Sequence, residues 1–250
     1  MTGCTGCRNA DALPFEFSIA FQPIVDVVDC SIFAYEALVR GVNGEGAGSI
    51  FARLTDDNLY AFDQRCRVKA IELAASLGLM DGDAKLSINF MPRAIYEPRA
   101  CIKLTLETGR RCAVPPERLI FEFTETEQTD KAKLAEILTL YRALGFETAL
   151  DDFGSGYAGL SLLADMPPGI LKLDMTLIRG IDADPVRHAI VKHVFALGKE
   201  LDIKILCEGV ETEAEVETLR QLGARLMQGY YLCRPAFEAL RTRDQIAFRA

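Results

Sequence analysis

Two short apolar runs, Ile170-Leu171-Lys172-Leu173-Asp174 and Ile203-Lys204-Ile205-Leu206-Cys207-Glu208, flank a helical pattern at residues 185–201, PVRHAIVKHVFALGKEL. The outer runs have the length and apolar density of buried strands, while apolar residues between them recur at helical spacing. Strand, helix, strand in this order requires a crossover, which joins parallel neighbours of one sheet. The runs share an oddity. Each ends in an ionisable residue, and the first carries Lys172 inside an otherwise apolar strand.

The same unit recurs outward in both directions. Strand candidates lie at residues 17–25, 32–39, 85–90, 119–123, 147–152, 170–174, 203–208 and 226–230, with helical patterns at 61–77, 130–144, 185–201 and 213–222. Such alternation reads as α/β with a mainly parallel sheet. Eight strands favour closure, and 250 residues is the size of a (β/α)8 barrel. Only residues 26–31 join the first two strands, too few for a helical crossover, so these two pair antiparallel. The expected fold is an irregular, TIM-like (β/α)8 barrel with one antiparallel strand near the N-terminus. It should occupy residues 15–240, between a flexible N-terminal tail (1–14) and a C-terminal tail (241–250).

Composition narrows the function. Half the residues are hydrophobic, enough for one large core. A net charge of −8 argues against binding a nucleic-acid polymer, which needs clustered Lys and Arg, yet permits a small phosphate ligand neutralised by metal ions. The first residues lack a basic patch followed by an apolar core, so no secretory signal is expected. No apolar run approaches the ~20 residues that span a bilayer, so the expected compartment is the cytoplasm, without membrane insertion. The eight cysteines are scattered, as reduced thiols would be. Cys4 and Cys7 form the one Cys-x-x-Cys pair; a frayed terminus is its simplest reading, half a zinc site or a redox pair the alternative.

The strand ends carry the chemistry. In order they present Glu36, Asn89, Glu122, Asp151 with Asp152, Lys172 with Asp174, Glu208, and Gln228. In a barrel the C-terminal strand ends converge on one face, where active sites lie. Five of these carboxylates, Glu36, Glu122, Asp151, Asp152 and Glu208, brought together there would repel, and some would protonate. Two divalent cations with Lys172 neutralise all five, and an all-oxygen ligand set suits Mg²⁺ or Mn²⁺. The bland alternative, helix N-caps and surface ion pairs, explains one such carboxylate better than it explains the series. His188 and His193 are the only histidines and point in different directions on one helix. No nucleophile elbow, His-Glu-x-x-His pair or Walker loop is present.

From about Phe17 to Phe237 the wording around these residues resembles the EAL phosphodiesterase family. The resemblance rests on Glu36-Ala-Leu-Val-Arg40, Ser87-Ile-Asn89, Phe121-Glu-Phe-Thr-Glu125 and Asp151-Asp-Phe-Gly-Ser-Gly-Tyr157. Leu171-Lys-Leu-Asp174, Glu208-Gly-Val-Glu-Thr212 and Gln228-Gly-Tyr230 complete it. It implies a stand-alone enzyme that opens cyclic di-GMP to linear pGpG with two Mg²⁺ or Mn²⁺ per active site, Ca²⁺ being inhibitory. Glu36, Asn89, Glu122 and Asp151 would hold one metal; Asp151, Asp152 and Glu208 the other. Lys172 would act on the attacking water, with Glu36 and Glu208 completing the catalytic set. Gln22, Arg40 and Gln228 would position ligand or water, and Asp174 would either touch the ligand or back those that do. Glu125 and Glu211 would support the loop that Asp151 opens. A homodimer through the segment after that loop is also implied. Ser155, Ala158 and Gly159 stand where many family members have Thr and two Ser, a change that could loosen the loop. The alternatives are a non-catalytic cyclic di-GMP receptor or interaction module, and a barrel hydrolase of a different phosphodiester.

Overall fold

A computed structural model describes residues 13–124, 130–156 and 159–248. The strands are β1 (Ser18–Asp26), β2 (Ser31–Arg40), β3 (Lys85–Asn89), β4 (Leu119–Thr124), β5 (Glu147–Phe153), β6 (Ile170–Leu173), β7 (Lys204–Cys207), β8 (Leu226–Met227) and β9 (Ala236–Phe237). From β2 to β8 every neighbouring pair is parallel. The strand β1 closes the ring, antiparallel to both β2 and β8. The result is the expected eight-stranded irregular barrel. The strand β9 was not anticipated: it pairs with β1 outside the ring, and its two residues are too few to register as a strand in sequence.

The barrel interior is layered. Ile24, Ala34, Ile120, Ala149, Ile170, Leu206 and Leu226 form a closed apolar cluster across it. Side chains of a strand return to the same face every second residue. Two positions further along the parallel strands come Glu36, Glu122, Asp151, Lys172, Glu208 and Gln228; on the antiparallel β1 the same step runs backwards, from Ile24 to Gln22. An apolar floor therefore carries a polar storey directly above it. The outward faces of the strands join a second, larger cluster with the surrounding helices.

Among those helices, Asp56–Ser76 starts five residues before its periodic pattern, because Thr55 and Asn58 form a reciprocal capping box. Helix Pro185–Leu201 has the expected bounds, opened by Asp184, whose carboxylate accepts from the amides of Val186 and Arg187. Near the C-terminus, the Tyr35 hydroxyl donates to the Arg241 carbonyl at 2.6 Å, and Arg243 Nε donates to the Cys30 carbonyl at 2.6 Å. Ile246 is buried. Cys30, Cys66, Cys101, Cys112, Cys207 and Cys233 are free thiols; Cys4 and Cys7 lie outside the described residues. Among the described residues no helix is long and apolar enough to cross a membrane.

Candidate active site

The polar storey centres on Lys172, whose side chain is 1% exposed. Its Nζ lies 2.8 Å from Glu122 Oε2, 2.9 Å from Asp151 Oδ1, 2.8 Å from Glu208 Oε1 and 3.7 Å from Glu36 Oε1. Four elements far apart in sequence thus meet at one ammonium. Around this centre, Gln228 Nε2 donates to Glu36 Oε2 at 2.8 Å and Asn89 Nδ2 donates to Glu36 Oε1 at 3.2 Å. Ser87 Oγ donates to Glu122 Oε1. Ser87 was missed as a site residue. Its signal was legible: it stands two positions before Asn89 on β3 and pairs in register with Glu36.

Electrostatics follow from one cation facing an excess of carboxylates. Burial pushes the Glu122 carboxyl up to about 8; Lys172 opposes this, while Glu36 and Asp151 add to it. Burial raises Asp152 to about 6, helped by adjacent Asp151. Burial also raises Glu208 well above the usual carboxylate range, against the pull of Lys172. For Lys172 burial favours the neutral amine, but Asp151, Glu122, Glu208 and Glu36 outweigh it and hold the ammonium protonated. A polypeptide rarely concentrates unbalanced charge in its interior without a counter-ion, because desolvation is so costly.

Two carboxylate triads stand ready for that counter-ion. Glu36, Glu122 and Asp151 bring one oxygen each within 4.8 Å of one another, as do Asp151, Asp152 and Glu208. Asp151 belongs to both, so the triads adjoin. Gln228 Oε1 is buried and unpartnered among the described residues, a further oxygen donor left open beside them. Only oxygen donors line this set, which fits hard divalent ions. Asp152 is held at φ +57°, an uncommon left-handed conformation for a residue with a Cβ, where the β5–β6 register shifts between Leu150 and Phe153.

Of the remaining expected residues, Gln22, Arg40, Asp174 and Glu211 lie around this centre. Gln22 pairs with Glu36 across the β1–β2 ladder, and its Nε2 donates to the Cys233 carbonyl at 3.2 Å. Arg40 ends β2 on the wall of a cavity of about 760 Å³ that also reaches Asn89, Asp151 and Asp152. A second cavity of about 290 Å³ takes in Gln22, Lys172, Glu208 and Gln228. Asp174 caps the short helix Met175–Ile178, accepting from the Thr176 amide at 2.9 Å. Glu211 pairs with Arg179 Nη2. Glu125 lies outside the described residues. After the Asp151 loop, helix Gly159–Asp165 buries Leu162 and Leu163 and leaves Leu160 69% exposed.

The EAL domain family matches residues 11–235. A crystal structure of a standalone versatile EAL protein from Vibrio cholerae, in a c-di-GMP-bound form, superposes with a TM-score of 0.89 at 53% identity, covering 92% of this chain and 97% of that one. The manganese and cyclic di-GMP complex of Klebsiella pneumoniae BlrP1 gives a TM-score of 0.84 at 33% identity, over 90% of this chain and 58% of that one. A probable cyclic di-GMP phosphodiesterase of Escherichia coli, PdeG, is 38% identical over 238 residues, or 91% of this chain and 45% of its own. The chain spans about half or less of the length of the curated relatives it matches. The motifs, the barrel and these likenesses agree: the chain belongs to the EAL domain family.

Proposed function

We propose that this chain is a cyclic-guanylate-specific phosphodiesterase that hydrolyses one phosphodiester of cyclic di-GMP, giving linear pGpG. The observation that carries the proposal is the pair of carboxylate triads sharing Asp151 around protonated Lys172. In the reaction water adds to phosphorus, the bond from phosphorus to the departing ribose oxygen breaks, and that oxygen takes up a proton. Two Mg²⁺ or Mn²⁺ ions, held by Glu36, Asn89, Glu122 and Asp151 and by Asp151, Asp152 and Glu208, would supply a nucleophilic water at neutral pH and stabilise charge on the phosphoryl oxygens.

The chain's own groups do the rest. Lys172, fixed among three carboxylates, offers a charged hydrogen-bond donor to the water and holds the ligands in place. Asn89 and Gln228 orient Glu36 by donating to its two oxygens. Arg40 presents a guanidinium to a ligand phosphate, with Gln22, Asp174 and Gln228 at the margins. Glu211, paired with Arg179, would support the loop that Asp151 opens, the role that the family resemblance also assigns to Glu125. Ca²⁺ takes similar oxygen ligands but coordinates more loosely, so it would bind without supporting turnover. A homodimer formed through helix Gly159–Asp165, with Leu160 at its face, would couple that loop to assembly, and a cytoplasmic location would give access to the nucleotide. The test is to follow cyclic di-GMP by anion-exchange chromatography with Mn²⁺, with Ca²⁺ and with chelator. Mn²⁺-dependent appearance of pGpG is expected. Tight binding of cyclic di-GMP without pGpG would make the chain a receptor and overturn the proposal.

A further inference from the structure

Glu215 lies on helix Glu213–Gln221, outside both carboxylate triads, yet it is 3% exposed. Its two oxygens reach two different loops. Oε2 accepts from the amides of Glu211 at 2.8 Å and Thr212 at 3.0 Å, which belong to the loop leaving Glu208. Oε1 accepts from the Gly180 amide at 2.9 Å, which follows the short helix after β6. One half of this is ordinary N-terminal capping, since Thr212 Oγ1 accepts in return from the Glu215 amide. Capping needs no bond to Gly180, 35 residues away.

The segment that Gly180 terminates is fastened on both sides. Towards β5, the Asp174 amide donates to the Phe153 carbonyl at 3.2 Å, and a Cβ on Gly154 would strike Leu177. Towards β7, a Cβ on Gly209 would strike Met175, and Arg179 pairs with Glu211. Both glycines have positive φ, at +99° and +67°, so the close approach is built into the backbone. The segment from Asp174 to Gly180 is thus wedged between the end of β5, which carries Asp152, and the loop carrying Glu208. Those two residues, with Asp151, form one triad.

We infer that Glu215 is a positioning residue that sets the spacing of Asp152 and Glu208 by clamping this wedge to the Glu208 loop. The inference rests on the reading that Asp151, Asp152 and Glu208 hold a cation, and it adds a residue that touches neither cation nor substrate. An uncharged amide cannot replace the carboxylate, because its NH₂ would face a backbone N–H wherever it turned. Groups that orient ligands in this way are typically worth about 10–100-fold in metal affinity.

Mn²⁺ binding, counted by electron paramagnetic resonance and calorimetry without substrate, tests it. E215Q is compared with E215D, which keeps a carboxylate for its own helix but is one methylene short of Gly180, and with T212A, which removes the cap's hydroxyl and leaves the clamp. Wild type and T212A should bind two Mn²⁺. E215Q and E215D should bind the first normally and the second at least about tenfold more weakly. If wild type binds two and both Glu215 variants match T212A, the clamp has no positioning role and the inference is overturned alone. If wild type binds fewer than two, the cation reading fails and takes the inference with it.

Discussion

Two of the buried charge clusters among the described residues differ in balance. On helix Asp56–Ser76, Arg67 is 0% exposed and pairs with Asp63, while its Nη1 donates to the Tyr141 hydroxyl at 3.2 Å. Asp63 also accepts from the Met91 amide at 2.9 Å, and the guanidinium lies 5.8 Å from the Phe90 ring centre and 5.7 Å from that of Phe121. One cation meets one anion, and burial raises the Tyr141 hydroxyl to about 12, keeping it neutral. Nothing in this cluster calls for a further ion. The other cluster sets Lys172 against Glu36, Glu122, Asp151 and Glu208, with Asp152 beside them. Burial alone therefore says little about function; the sign and size of the leftover charge say more. A closed pair can be structural, whereas a surplus of carboxylates requires protons or metal ions.

The two clusters should break in opposite ways, and the largest effect belongs to the unbalanced one. Lys172→Met removes its only cation and should lower kcat by ~10²–10⁴-fold in a chain that still folds, with KM changing far less. A rise in KM alone would make Lys172 a substrate-binding cation. Glu36→Ala should likewise abolish turnover at saturating Mg²⁺ in a well-folded chain. In the balanced cluster, Arg67→Met strands a buried carboxylate and should cost about 3–5 kcal/mol of stability. Steady-state kinetics on the fraction still folded should show kcat within about tenfold of wild type; loss of turnover as severe as in Lys172→Met would erase the distinction.

A smaller effect separates the clusters by pH. Asp152 and Glu122 have folded-state values of about 6 and about 8, above their ordinary 3.8 and 4.5. The folded chain then holds protons that the unfolded chain releases. Without divalent ions, stability present at pH 4 is therefore lost as pH rises through about 6 and on towards 8. Metal ions need these carboxylates ionised, so Mn²⁺ should raise Tm more at pH 8 than at pH 5.5. At a hundredfold excess over Kd the gain is about 2.7 kcal/mol. Equal Mn²⁺ stabilisation at both pH values would contradict the assignment. The smallest effect is expected outside both clusters. Leu160→Ser, on an exposed position, should change stability by no more than about 0.5 kcal/mol. Light scattering would show whether it weakens a dimer; an unchanged dimer would remove this helix from the interface.

Much of the unbalanced cluster was legible in sequence because strand periodicity is local. Once Ile170–Leu173 is read as a strand, Lys172 must share a face with Ile170, and the repeated end-of-strand carboxylates announce a common pocket. The brevity of residues 26–31 likewise disclosed the antiparallel β1–β2 pair. The balanced cluster was not legible. Arg67 sits in a charged stretch, Arg65-Cys66-Arg67-Val68-Lys69, that reads as a solvated helix face. Its burial depends on Tyr141, 74 residues away on another helix. The Glu215 clamp escaped notice for the same reason: the capping box is local and readable, whereas the bond to Gly180 exists only in three dimensions.

The claim that surplus charge marks the cation site is tested most directly by anomalous diffraction from crystals grown with Mn²⁺. Two manganese peaks are predicted, one among Glu36, Asn89, Glu122 and Asp151 and the other among Asp151, Asp152 and Glu208, with no peak at Asp63. Absence of manganese from the Lys172 cluster, or a peak at the Asp63–Arg67 pair instead, would contradict the account.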